Sequence, residues 1–336
     1  TETGLYEIII TTTDASNEVS ETKYIYVDKT APTISEVIGK TTNSITVNGH
    51  AADVGSGLKT VTYELKNGNE VVETITVGPN DANKDVTFEG LTNATEYTLT
   101  ITAVDNVGNT TTKTVSDEQG KTTIKTKTLI PGSLTIHERQ SGDLVVSSED
   151  TWINENVRTT LTPGNATTTY EVTAPDGSKV ISSNGTTTFT GNEIIETVDG
   201  RYSITLTTTD GTNSKTVNYV FNVDKQAPTV EFGTKGGTYT IPVGSNSAEV
   251  SSKVTATDLG GSTLDKVEYA WTTSATVEPE ASAWTTIANG TNASKTSTGG
   301  ANYLWARATD KAGNVTTTKL DKVFNVGYAV EYDFVE

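Results

Sequence analysis

The sequence contains no cysteine, which removes disulfides, thiolate metal sites, thioesters and cysteine nucleophiles. Methionine is also absent, even as an initiator, and no signal peptide is readable, so the chain is expected to be a processed or excised piece of a longer protein. No apolar run is long enough to cross a bilayer, and no membrane span is expected. Only two histidines occur, His50 and His137, in what read as different domains. With no nucleophile-elbow sequence to support a triad, no enzyme is expected and no catalytic or cofactor-binding residue is assigned. Basic residues are few: 24 Lys and Arg stand against 42 Asp and Glu, a formal charge of −18. Phosphate binding needs clustered cations, so nucleic acid is an unsuitable partner. The acidity suits a soluble surface object whose copies repel one another, and it leaves room for calcium.

Threonine is the commonest residue, and Val and Ile supply much of the apolar content. All three are branched at Cβ, which stiffens χ1 and favours the pleated strand. Turn signals such as KNGN at 66–69, PDG at 175–177 and SNGT at 183–186 punctuate short alternating runs. No apolar stripe of helical period is present, so an all-β chain is predicted. At 336 residues it is too long for one ordinary core.

The heptapeptide VDKTAPT at 27–33 returns as VDKQAPT at 223–229, and the upstream segments align without gaps. Tyr6 then matches Tyr202, Asp14 matches Asp210, Asp28 matches Asp224, and Pro32 matches Pro228. Weaker copies run EYTLTITAVDNVGN from Glu96 and NYLWARATDKAGN from Asn302. Repetition of one unit indicates a tandem array. Each copy reads as a Tyr-led strand, an Asp-containing turn and a second strand, a hairpin with a buried tyrosine corner. Upstream halves correspond as well, VNGHAADVGSGLKTVTYELKNG with VTATDLGGSTLDKVEYAWTTS.

The combination A-P-T, A-D-x-G-S-G-L-x-x-V-x-Y and Y-x-x-x-x-A-x-D-x-x-G-N resembles bacterial immunoglobulin-like and fibronectin type III-like repeats of secreted or surface proteins, of Gram-positive type. The resemblance implies tandem β-sandwiches forming an elongated rod. Residues 1–29 would be the closing hairpin of an incomplete Ig-like domain, and 30–117 a fibronectin type III-like sandwich. An Ig-like sandwich would follow at 118–225 and a bacterial Ig-like sandwich at 226–326. Residues 327–336 would be a tail or the first strand of a following domain. The half-unit at the start is expected from truncation or, alternatively, from strand donation by another chain.

Within the repeats, Asp28, Pro32, Asp224 and Pro228 mark interdomain joints. Proline lacks an N–H and restricts its predecessor to extended backbone, so it suits the first position of a strand and stops ladder pairing at a boundary. Asp28 and Asp224, with Asp53, Asp105, Asp258 and Asp310 at turns near domain ends, are the candidate ligands for Ca2+, a hard cation that takes oxygen donors. No EF-hand loop or D-x-D cluster accompanies them, and the ordinary role of such Asp side chains is to accept N–H bonds in their own turns. Trp152 and Trp284 are candidate glycan contacts, whereas Trp271 and Trp305 lie within strand patterns and are expected in a core. A Lys–Asn isopeptide, found in some similar Gram-positive sandwiches, needs a buried lysine and cannot be placed without strand register.

The expected function is a non-catalytic stalk segment of a large bacterial surface or extracellular protein, a rigid spacer and interaction module. Its partner would be a protein or glycan at the cell surface, with self-association through terminal strands as a further option. A phage or virion decoration component and an accessory carbohydrate-binding region of a secreted enzyme are the alternatives. Strands of about ten residues would give each sandwich a length of roughly 35 Å.

Overall fold

A computed structural model describes residues 1–139, 151–233 and 236–330. Among these residues no α-helix forms, and the only helical turns are the short 3-10 segments Pro79–Asp81 and Ala281–Ala283. The remainder is strand and turn, as the β-branched composition requires. The chain divides into two compact units: Thr1–Pro131 with Pro163–Thr168 and Thr207–Lys215, and Gly132–Thr162 with Thr169–Leu206 and Thr216–Glu336.

The first unit opens with strands Gly4–Thr13 and Glu18–Val27, paired antiparallel in full register from Gly4 against Val27 to Thr13 against Glu18. Its apolar side chains, Leu5, Ile9, Ile10 and Tyr24 among them, are exposed. In the matching copy, by contrast, Tyr202, Ile204 and Leu206 are buried. A complete sandwich follows. One sheet has the order Thr33–Lys40, Ile45–Ala52, Asp85–Phe88. The other has the order Ile124–Lys125, Glu96–Asp105, Leu58–Asn67, Glu70–Val77, with Thr110–Thr114 also paired to Glu96–Asp105. Period-2 alternation turns Ile45, Val47 and Phe88 of the first sheet towards Val61, Tyr63, Leu65, Leu99 and Ile101 of the second, and these eight pack at the centre of a core of sixteen buried residues. Each such burial contributes about 1.5–3 kcal/mol before chain entropy is counted. The expected boundary after 117 falls short, because Ile124 pairs with Tyr97 and lies in this core.

Two further cores lie in the second unit. The first is framed by the sheet Ser133–Glu138, Val157–Thr162, Ile194–Ile195 and by the sheet Trp152–Ile153, Ser214–Val223, Gly200–Thr209, Thr167–Thr173. Tyr170 stacks on Phe189 at 4.9 Å and Tyr202 on Phe221 at 5.0 Å between ring centroids. The second core sits between Thr229–Phe232, Ala248–Thr257, Thr291–Ser297 and a larger sheet. That larger sheet runs Gly237–Ile241, Phe324–Tyr328, Gly300–Asp310, Leu264–Thr272, Thr285–Ile287. In both sandwiches an early strand pairs parallel with the last one, Trp152–Ile153 with Asn222 and Val223, and Gly237–Ile241 with Phe324–Tyr328. The fold is all-β, a tandem series of immunoglobulin-like and fibronectin type III-like sandwiches. Phe324–Tyr328 carries the last sandwich to 328, beyond the expected limit of 326. Residues 331–336, the rest of the expected tail or first strand of a following domain, lie outside the described residues.

The tyrosine corner is present where the repeat predicts it. Tyr97 accepts a hydrogen bond from the Thr92 N–H at 3.0 Å, and Tyr202 accepts one from the Val198 N–H at 2.9 Å. In the last copy the place is taken by Asn302, whose buried amide donates to Ser297 Oγ at 2.9 Å. Along Gly300–Asp310 the inward positions are therefore 302, 304, 306, 308 and 310. This phase corrects the core assignment of Trp305. The ring faces away from the core, donates from Nε1 to Thr272 Oγ1 at 3.1 Å and lies beneath the Lys319 ammonium. Trp271 does pack on the core, edge-on to Phe324 at 5.1 Å.

Candidate functional site

The two copies of the heptapeptide fold into the same polar construction, one in each unit. In the first unit Asp28 is buried at the end of its strand. Its Oδ1 accepts the Thr30 N–H at 2.9 Å and its Oδ2 the Ser56 N–H at 2.6 Å. The fully buried Asp105 accepts the amides of Val107, Gly108 and Asn109 on one oxygen, and the Asn109 side chain on the other at 2.7 Å. That same Asn109 amide reaches back to the carbonyls of Asp28 and Thr30, at 3.2 and 3.3 Å. Asp53 accepts the Gly55 and Gly57 amides on Oδ2. Thr111 Oγ1 donates to the Pro32 carbonyl at 2.5 Å, fixing the proline that begins the new sandwich.

The second unit repeats the wiring. Asp224 accepts Gln226 N–H at 3.0 Å and Ser262 N–H at 2.9 Å. Asp310 accepts both the backbone and the side-chain amide of Asn314 at 2.8 Å. Asn314 Nδ2 also donates to the carbonyls of Asp224 and Gln226, at 2.8 and 3.2 Å. Asp258 accepts the Gly260 amide. The loop lies so close to the joint that a Cβ on Gly55 would overlap the Asp28 carboxylate, and one on Gly260 that of Asp224.

The six aspartates named from sequence thus assemble into two triads, Asp28 with Asp53 and Asp105, and Asp224 with Asp258 and Asp310. In each, one carboxylate oxygen per residue lies within 4.8 Å of the other two. The local-turn role holds as well, since each carboxylate accepts nearby amides. Those amides govern acidity where a shift is evident. The Thr30 amide, then that of Ser56, holds Asp28 below the usual carboxylate range. Burial pushes Asp105 up, but the bonds from Asn109, Gly108 and Val107 outweigh it and leave the group below that range. Sequence reasoning missed Asn109, Asn314, Ser56, Ser262, Gly55 and Gly260. The signal was the last Asn of D-x-x-G-N and the Gly two places after Asp53 and Asp258, all of which read simply as turn residues.

A third asparagine works the same way inside the first unit. Asn213 Nδ2 donates to the carbonyls of Leu91 and Thr42, at 3.0 and 3.4 Å, and Asn43 Nδ2 donates to the Asp210 carbonyl at 3.0 Å. Burial raises the Asp210 pKa, but the Thr42 hydroxyl and the Asn213 and Thr212 amides more than offset it, bringing the value to about 2. A group depressed on folding contributes stability that is complete above its unfolded pKa near 4 and is lost as pH falls through the folded value. For this partly exposed group the contribution is about 1 kcal/mol after solvent screening. Urea titrations at pH 7 and pH 2.5 should therefore show a smaller loss on acidification for Asp210→Asn than for the wild type. Equal losses would refute this.

Other candidates stand apart from these joints. Trp152 is half-buried, with its ring edge beside Gly261. Trp284 carries the Arg307 guanidinium over one ring face at 4.5 Å. His50 points outward, its Nδ1 3.3 Å from Asn83 Oδ1, while His137 lies on Ser133–Glu138 in the other unit. Among the described residues no lysine is buried, as an isopeptide would require. No helix of the described residues is long and apolar enough to cross a membrane.

No protein-family model and no curated protein matches the sequence. Solved structures with similar folds include the three N-terminal domains of the bacteriophage RB49 highly immunogenic outer capsid protein (Hoc), at 11% identity and a TM-score of 0.48, covering 89% of this chain and 99% of that one. A 1.5-MDa bacterial ice-binding adhesin gives 15% identity and a TM-score of 0.34, covering 90% and 100%. The fibronectin(III)-like modules of Clostridium thermocellum CbhA give 14% and 0.20, covering 57% and 94%.

Proposed function

We propose that the chain is a non-catalytic structural segment of a large extracellular or bacterial cell-surface protein. It acts as a spacer that holds interaction surfaces away from their anchor. The observation that carries this reading is the joint. A linker meant only to connect domains needs no buried residues, yet Asp28 and Asp224 are buried and the carbonyls beside them are gripped by Asn109 and Asn314. Backbone held in this way resists bending, and extended reach is the property that such joints serve. The partner would be a protein or glycan at the surface, met by faces whose acidity also keeps neighbouring copies apart.

Small-angle X-ray scattering tests the reading. The wild type is expected to scatter as an extended particle, each sandwich adding roughly 35 Å. Replacing Pro32 and Pro228 with Gly should broaden the distance distribution while leaving the far-ultraviolet circular dichroism unchanged. A compact wild-type particle, or a profile indifferent to the substitutions, would exclude the spacer role.

A further inference from the structure

We propose that each aspartate triad is a Ca2+ site, with the better-enclosed one at Asp224, Asp258 and Asp310. Three carboxylates in one small volume repel each other unless something positive joins them. Among the described residues no Lys or Arg forms an ion pair with any of the six aspartates. Amide N–H groups satisfy part of this demand, but they leave particular oxygens bare.

Those bare atoms point to a ligand. Ser262 is only 2% exposed, and its Oγ has no hydrogen-bond partner. Its own amide donates to Asp224 Oδ2, so the hydroxyl lies within a side chain's length of the triad. Asp258 Oδ2 is likewise shielded and unpartnered. A buried oxygen without a partner is costly and calls for an explanation. The first unit leaves the corresponding atoms bare, Asp53 Oδ1 and Ser56 Oγ. This recurrence survives a difference in spacing, because Ser56 stands three residues after Asp53 and Ser262 four after Asp258. In both loops the serine amide still donates to the joint aspartate. Two loops of different length thus converge on one arrangement of bare oxygens.

The donor set selects the ion. Every candidate ligand is oxygen, with no histidine or thiolate in either triad, which suits a hard cation. Ca2+ accepts irregular sets of carboxylate, hydroxyl and water oxygens, whereas Mg2+ demands near-octahedral geometry and keeps its waters. A carboxylate oxygen that accepts one N–H retains a lone pair for the metal, so the amide network and the ion are compatible.

Calorimetric titration of the whole chain with CaCl2, after treatment with EDTA, should give two sites per chain. Calcium should also raise the melting temperature above that measured in EDTA. Asp258→Asn keeps an oxygen for the Gly260 amide and removes one of three mutually repelling charges, so it should lose one site while melting no lower than the wild type in EDTA; adding Asp53→Asn should remove both. Ser262→Ala gives a reading independent of carboxylate charge. Deleting an unpaired buried hydroxyl should leave the EDTA melting temperature unchanged or higher, yet weaken one calcium site about tenfold. Tb3+ bound at the Asp224 joint should luminesce through Trp152, which abuts Gly261, and Trp152→Phe should dim it without changing the calcium count. No heat of binding with a melting temperature indifferent to EDTA would overturn the proposal. So would two sites persisting in the double variant.

Discussion

Gly260→Ala is expected to destabilise the second unit by about 2–4 kcal/mol, far more than a loop glycine normally would. The backbone at Gly260 is not in the left-handed region, so alanine meets no conformational penalty. The obstacle is the Asp224 carboxylate, which fills the space a Cβ would need. Either Asp224 rotates away or the loop withdraws. Rotation strands the Ser262 and Gln226 amides, withdrawal strands that of Ser262, and a buried amide left unpaired costs about 1–3 kcal/mol. All four tryptophans, Trp152, Trp271, Trp284 and Trp305, lie in the second unit, so urea unfolding followed by tryptophan fluorescence reads it selectively. Gly191→Ala, in the same unit, is the control, because its Cβ would meet nothing within 4 Å and its backbone is not left-handed; a cost equal to that of Gly260→Ala would disprove the steric account.

Asn314→Asp should be comparably damaging, by about 2–4 kcal/mol at pH 7, although it changes the side-chain volume very little. The Asn314 amide donates to three acceptors: two carbonyls and a carboxylate oxygen of Asp310. A carboxylate in its place donates to none and sets a negative charge against that of Asp310. The neighbouring charge raises the pKa of the new acid, so protonation should restore most of the loss as pH falls towards 4. Urea midpoints for both proteins at pH 7 and pH 4 test this, and a gap that does not narrow would show that charge is not the cause. Combined with Gly260→Ala the two costs should add to less than their sum, since both release the same Asp224 segment.

Much of this was legible in the residues. The repeated heptapeptide drew attention to Asp28 and Asp224, and the six aspartates were named individually because Asp in a tight turn carries a recognisable local role. Their convergence was not legible. Asp28 and Asp105 lie far apart in sequence, and only the closing of the sandwich brings them together. Asn109 and Asn314 were hidden for a related reason. Their backbone task is local, so the sequence displays a turn, while the side chain does its work on a distant carbonyl. The error at Trp305 has a simpler origin. Tyr303 stands seven residues before its Asp where Tyr6, Tyr97 and Tyr202 stand eight, and one residue of phase exchanges the two faces of a strand. Asn302 fills the corner that a tyrosine was expected to occupy. The end of the first sandwich was misjudged because Ile124–Lys125 is too short a strand to show any periodicity.

The asparagines that close the hairpins carry one more consequence. Asn109, Asn213 and Asn314 each sit in a hairpin turn near the end of their own domain, and each grips carbonyls that precede that domain's first strand in the chain. The instructions for a connection are therefore written downstream of it, inside the domain that is being attached. A segment copied from its heptapeptide to its final strand would bring along its own means of fastening to whatever came before. Lengthening such a chain by duplication then requires no new joint to be invented, because every added copy arrives with its coupling already built in.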